Sequence, residues 1–130
     1  MVEEWQLQHK LEQHMRFEKL EVWIESKDLA VTVYREMRQI KDFGFRDQIT
    51  RSALSVPSNI AEGLERNSDK ELARFLTISK ASCGEFRTQT IIGKEIGYID
   101  SETSDKWLEN SARIGRMLGG FIKRVEGRSH

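Results

Sequence analysis

The chain has 130 residues, 38% of them hydrophobic and 32% charged, with 21 Lys and Arg against 21 Asp and Glu for a formal net charge of zero. That length suits one domain, and the balanced charge speaks against a strongly cationic nucleic-acid coat or an acidic disordered tail. The single Pro and nine Gly disfavour a turn-rich all-β domain, the single Cys cannot form an internal disulfide, and no apolar run reaches a membrane span, so a cytoplasmic, mostly helical protein is expected.

Residues 1–16 carry Trp5, Leu7, Leu11 and Met15 at near-helical spacing. They form an N-terminal extension that lengthens the first helix, covers a neighbour, or stays frayed. Residues 17–126 are the expected domain. A first helix is predicted from about Phe17 to Gln39, on Leu20, Trp23, Ile24, Ala30, Val31, Tyr34 and Met37. It is expected to stop between Ile40 and Gly44, with Gly44 in the left-handed backbone that ends a helix. A second helix follows from about Phe45 to Leu64, on Phe45, Ile49, Ala53, Val56 and Ile60. Pro57 interrupts it, frees the Ala53 carbonyl and predicts a kink, and Gly63 and Asn67 supply the exit.

Ser68 to Glu71 is a capping box opening a third helix on Leu72, Phe75, Leu76, Ser79, Cys83, Phe86 and Thr90, ending near Ile96 and Gly97. The small residues Ser79, Ala81, Ser82, Cys83 and Gly84 leave its middle narrow enough for another backbone to approach. A fourth helix starts between Asp100 and Ser104 and runs to about Val125, on Trp107, Leu108, Ile114, Leu118, Phe121 and Ile122. Gly115, Gly119 and Gly120 weaken its propensity by up to about 1 kcal/mol each, which predicts tight packing there. Residues 127–130 are an expected disordered tail. Four amphipathic helices with short connections predict an all-α, up-down-up-down bundle.

Charge is neutral in sum but not in place. Residues 1–28 hold four basic and seven acidic side chains, while residues 113–130 hold Arg113, Arg116, Lys123, Arg124 and Arg128 against Glu126 alone. That polarity can steer subunits together, hold a polyanion or simply be solvated. Metal and cofactor signals are absent: there is no Glu-x-x-His, no phosphate loop and no nucleophile elbow. His9 and His14 are five apart, which on a helix separates them by about 140°. Cys83 reads as a small buried thiol. Arg124 and His130 match the spacing of helical-bundle ribonucleases, but on a permissive pattern at the chain's end, so no enzyme is expected.

The second helix is the unusual element. Arg51, Ser55, Asn59 and Glu62 are spaced four, four and three and share one face. Arg51 and Glu62 lie about three turns apart, so each needs a partner elsewhere. The face is either a buried polar network that satisfies the Ala53 carbonyl and sets register, or a contact for a ligand or nucleic acid.

The run from Arg51 to Gly63, Arg-Ser-Ala-Leu-Ser-Val-Pro-Ser-Asn-Ile-Ala-Glu-Gly, with Arg66, Ser68, Lys70 and Glu71 after it, closely resembles the signature of four-helix bundle proteins encoded in bacterial 23S rRNA intervening sequences. Phe17 to Leu20 with Trp23, Phe75-Leu76 with Ser82 and Glu85, and Gly97 to Ile99 are similar to other parts of that family. The resemblance runs from about Phe17 to Val125. It implies a left-turning antiparallel subunit in a homopentameric ring, with no established enzymatic activity and a conjectured RNA-binding role. Related accessory proteins of diversity-generating retroelements are pentamers that bind nucleic acid and a reverse transcriptase. This chain departs from the pattern at Lys41-Asp42-Phe43-Gly44, where many relatives carry a proline and an acidic residue, and its net charge is lower than that of the cationic relatives.

Two functions follow. In the first, a ring without cofactor or metal presents clustered cations to RNA or DNA, with Arg113, Arg116, Lys123 and Arg124 as phosphate contacts and Arg46, Arg51 and Arg66 joining them if the second-helix face is exposed. In the second, the oligomer is a scaffold with a protein partner and no nucleic acid. There Arg51, Ser55, Asn59 and Glu62 knit subunits together, and the acidic and basic ends pair between neighbours. Pro57 and Gly63 serve the kink and the packing in both.

Overall fold

A computed structural model describes residues 20–128, and all of its regular structure is helical. Helix α1 spans Glu21–Glu36 and ends in a single 3-10 turn, Met37–Gln39. Helix α2 spans Phe43–Leu64, α3 spans Asp69–Glu95, and α4 spans Ser101–Arg128. The extension at residues 1–16 and the start predicted at Phe17 lie outside the described residues. Helix α3 packs extensively on both α2 and α4, and α1 lies against α2 and α4, which closes the four around one core.

Each boundary has a local cause. Ile40 is extended, and Asp42 then caps α2 by accepting the Phe45 N–H at 3.1 Å. Gly44 therefore lies in the first turn of α2 and does not terminate α1 in a left-handed conformation: the extended Ile40 and the Asp42 cap make the reversal without it. Ser68 caps α3 by accepting the Glu71 N–H at 3.1 Å, while the Glu71 carboxylate is engaged by Arg74 Nε at 2.8 Å. At the other end of α3, Gly97 has φ +82°, the one positive φ among the described residues. Its N–H bonds the Lys94 carbonyl and the Tyr98 N–H bonds the Gly93 carbonyl, a Schellman closure that needs glycine at this position. Asp100 opens α4, accepting the Thr103 N–H at 2.8 Å and its hydroxyl at 3.1 Å. Of the tail expected over residues 127–130, Gly127 and Arg128 instead continue α4, where the Arg128 guanidinium reaches Asp69 at 3.1 Å, and the last two residues lie outside the described ones.

The core draws on all four helices, through Val33, Ile49, Ile60, Leu76, Phe86, Trp107, Ile114, Leu118 and Val125. Phe86 and Trp107 form its aromatic centre, with ring centroids 5.8 Å apart. Some buried hydroxyls donate to carbonyls within their own helix, as Thr90 does to Phe86 and Ser111 to Trp107. Helix α2 runs through Pro57 as one element.

The glycines corrected one expectation. A Cβ placed on Gly115 meets nothing within 4 Å, and one on Gly119 meets only the Lys80 ammonium at 3.7 Å. The tight sites lie elsewhere. At Gly63 a Cβ falls 3.0 Å from Phe75 Cβ and 3.3 Å from the Leu72 carbonyl, so α3 passes α2 almost backbone to backbone. At Gly93 it falls 2.8 Å from Phe45 Cζ and 2.6 Å from Ile99 Cδ1. Around Gly93 the α3–α4 connection is clasped to the start of α2: Phe45 and Tyr98 meet edge-on at 5.2 Å, and the Tyr98 hydroxyl donates to Asp42 Oδ2 at 3.0 Å.

Two consequences are measurable. Phe75 Cβ cannot move without α3, so Gly63→Ala is expected to destabilise the fold by about 1–3 kcal/mol in denaturant titrations despite its better helix propensity. The Phe45 N–H and then the Tyr98 hydroxyl hold the Asp42 carboxyl below its usual 3.8. A carboxyl depressed in the folded state stabilises above its unfolded value and loses that contribution as the pH falls through the folded one. Asp42→Ala is therefore expected to lower the melting temperature at neutral pH, with the deficit narrowing below pH 3.8.

Candidate nucleic-acid interface

The α2 face singled out by its spacing divides on folding. Its middle turns toward α3: the Ser55 and Ser82 hydroxyls meet at 2.8 Å, and Asn59 Nδ2 donates to the Ser55 carbonyl at 2.8 Å and to its hydroxyl at 2.9 Å. Its ends do not join that network. Arg51 is exposed. Glu62 takes its partner four residues on, where Arg66 lies at 2.6 Å and also stacks over Phe75 at 4.8 Å. Glu62 therefore needs neither another helix nor another subunit, because Arg66 falls just beyond the end of α2 and can fold back. Nor does the network serve the Ala53 carbonyl. The hydroxyl that α3 brings to this level belongs to Ser79, and it donates to the Val56 carbonyl at 2.7 Å. Ser52 donates to Gln89 Oε1 at 2.5 Å one level along. Thus the small residues in the middle of α3 admit α2 and also bond to it.

The candidate phosphate contacts separate by what already occupies them. Arg113 is bound twice on α1, to Glu21 at 2.7 Å and Glu25 at 3.3 Å. Part of the acidic start and basic end of the sequence thus pair within one subunit, where the helix packing brings them together. Arg46 lies 3.4 Å from Asp47 and 4.4 Å over the Phe43 ring. Arg124 is exposed, with its guanidinium 5.6 Å from the Phe121 centroid. Arg116 and Lys123 are different. Both are exposed and both line a groove between α3 and α4.

Opposite them on α3 stand Lys80 and Arg87, which the charge count by chain segment had passed over. Lys80, Gly84 and Arg87 are spaced four and three, as one face of a helix requires, so the signal was present in the helical register. The groove measures about 630 Å³; its charged lining is entirely cationic, and its floor is Gly115, Gly119 and Gly120 with Cys83 and Ala112. Arg87 is half-buried and fixed, donating to the Leu108 carbonyl at 2.6 Å. Among the described residues no three His, Cys, Asp or Glu side chains gather to hold a metal ion. His130, the partner in the ribonuclease spacing, lies outside them. No helix among the described residues is long and apolar enough to cross a membrane.

Against known families, residues 18–120 match the model of the 23S rRNA-intervening sequence protein. The chain belongs to that family. The match covers α1, α2, α3 and most of α4, so Lys80, Arg87 and Arg116 lie inside it and Lys123 just beyond. Among solved structures, the chain is similar to a protein of unknown function from the S23 ribosomal protein family of Bacteroides thetaiotaomicron. The two share 25% identity over 78% of this chain and 98% of the other, with a TM-score of 0.74. A search of curated proteins finds no match.

The α2–α3 seam and the exposed end of the α2 face are separable by mutation. Ser79→Ala removes a buried hydrogen bond between helices and is expected to cost about 1 kcal/mol of unfolding free energy. Arg51→Ala, on the exposed end, is expected to change it by less than about 0.5 kcal/mol.

Proposed function

We propose that this protein is a non-catalytic binding module of the cytoplasm: an antiparallel up-down-up-down four-helix subunit, assembled as a homopentameric ring, that holds RNA or other nucleic acid through Arg and Lys side chains. The observation that carries the reading is the α3–α4 groove, where Lys80, Arg87, Arg116 and Lys123 gather without a carboxylate in the lining. Cations so placed attract phosphates and release the counterions condensed on them. The family's association with 23S rRNA intervening sequences makes RNA the first nucleic acid to test. The antiparallel course is supported by ion pairs at both ends of the α3–α4 pair, Lys94 with Asp105 at 3.4 Å and Arg128 with Asp69 at 3.1 Å. A ring multiplies the groove, so a neutral protomer still presents a basic annulus, and weak sites act together.

Assembly is supported by apolar surface left uncovered on one subunit. Val31 and Tyr34 of α1 and Leu54 of α2 are 41%, 45% and 47% exposed and border a valley over Pro57. Arg51 rises from the same helix. This valley also favours the alternative, a scaffolding oligomer that takes a protein partner and no nucleic acid.

Light scattering and RNA titration decide between them. The expected mass is that of a pentamer, and a monomer overturns the ring. The expected affinity for structured RNA is measurable at low salt and falls steeply as salt rises; no affinity at low salt leaves the scaffold alone. The RNA should be recovered intact, since cleavage would revive the Arg124 and His130 pairing. Arg51→Ala reports on the α2 face: loss of assembly makes Arg51 a subunit contact, and an intact ring with weaker RNA binding makes it a phosphate contact.

A further inference from the structure

We infer that the α3–α4 groove is a seat for one phosphodiester strand, gripped through its phosphates and not its bases, an inference that rests on the nucleic-acid reading above and assigns it a site and a ligand chemistry. Three features converge on that ligand. First, the charge is of one sign and mostly unspent. Among the described residues Lys80, Arg116 and Lys123 have no ion pair, whereas Arg113, Arg46 and Arg66 are held by neighbouring carboxylates. Arg87 adds a fixed fourth charge, anchored on the Leu108 carbonyl.

Second, the floor is open for a reason the subunit itself does not supply. A Cβ on Gly115 would meet nothing within 4 Å, so no packing inside the subunit excludes a side chain there. Each glycine in the middle of a helix nonetheless weakens it relative to alanine. What the glycines do leave is a channel level with the backbone of α4, bounded by long cationic side chains on both rims.

Third, the lining suits a phosphate chain better than a protein or a base. It holds no aromatic side chain on which a base can stack, and no large aliphatic that would anchor a helix from another subunit. Of the exposed large apolar residues, Val31, Tyr34 and Leu54 lie on other helices, and Ile91, on the same face of α3 one turn beyond Arg87, lies outside the lining. Helices in contact are spaced about 8–10 Å apart, so the valley between them admits a single strand, and a stiff duplex touches it only tangentially. The site should therefore prefer flexible single strands and be indifferent to their sequence.

The test uses the intact oligomer with oligouridylate, oligoadenylate and an RNA duplex, titrated at several salt concentrations. Three free cations per groove predict a logarithmic salt slope of about −2 for a short single strand, at about 0.7 per phosphate neutralised. Lys123→Gln should reduce that slope by about 0.7. Gly115→Gln leaves the charge untouched, favours the helix and fills the floor; its melting temperature should hold or rise while affinity for oligouridylate falls at least tenfold. Oligouridylate and oligoadenylate should bind within threefold of each other, and the duplex more weakly than either. If wild-type protein binds RNA but Gly115→Gln binds it equally well, the groove is not the seat, although the broader function stands. If wild-type protein binds none of the three at low salt, that function fails and the groove falls with it. If Gly115→Gln breaks the oligomer, the groove is a contact between subunits and the inference is overturned.

Discussion

The close approach of α3 to its neighbours sets the geometry of the subunit. It is made possible at Gly63, where Phe75 Cβ would lie 3.0 Å from an added methyl, and at Gly93, where Phe45 and Ile99 occupy the space a side chain would need. Such proximity lets short hydroxyl side chains bridge helices, so that Ser79 reaches the Val56 carbonyl and Ser82 reaches Ser55. The polar atoms of the α2–α3 seam thereby become directional ties across a buried or half-buried interface, where an unmatched donor is costly. With α3 so close to α2 on one flank, α4 closes the other around Phe86 and Trp107.

Electrostatics follow from that packing. Bringing α4 beside α1 lets Glu21 and Glu25 consume Arg113, and the approach of its far end to α3 lets Asp69 consume Arg128. Among the cations left over, Arg116 and Lys123 stand on the side of α4 that forms the groove with α3. Neutral overall composition is thus compatible with a local surplus, because folding pairs charges selectively by position. Part of the surplus gathers along the α3–α4 groove, whose lining holds no carboxylate.

Much of the architecture was legible in the sequence because its signals are local. Helical periodicity marked four helices, Ser68 marked one start, the stretch from Asp100 to Ser104 held another, and Ile96 and Gly97 marked the end of α3. The errors arose where a residue had two local meanings. Gly44 can end one helix or enter the first turn of the next, and only the extended Ile40 with the Asp42 cap decides between them. The α4 glycines can mean close packing or an open channel, a choice that depends on what lies opposite and is invisible along one helix. Glu62 found its partner four residues on at Arg66, an i, i+4 pairing that the spacing itself offers. The candidate site was half legible for the same reason: Arg116 and Lys123 stood in a basic segment, but Lys80 and Arg87 gain meaning only once α3 is set beside α4.

Cys83 lies at the base of that seam, 3% exposed, its thiol donating to the Ser111 carbonyl at 3.1 Å. Burial pushes the thiol above its ordinary value, against the pull of Arg87. A thiol so held reacts only when α3 and α4 part, since alkylating reagents need the exposed thiolate. The single cysteine of the chain is therefore a built-in clock: its rate of alkylation measures how often this seam breathes, without any label or engineered probe.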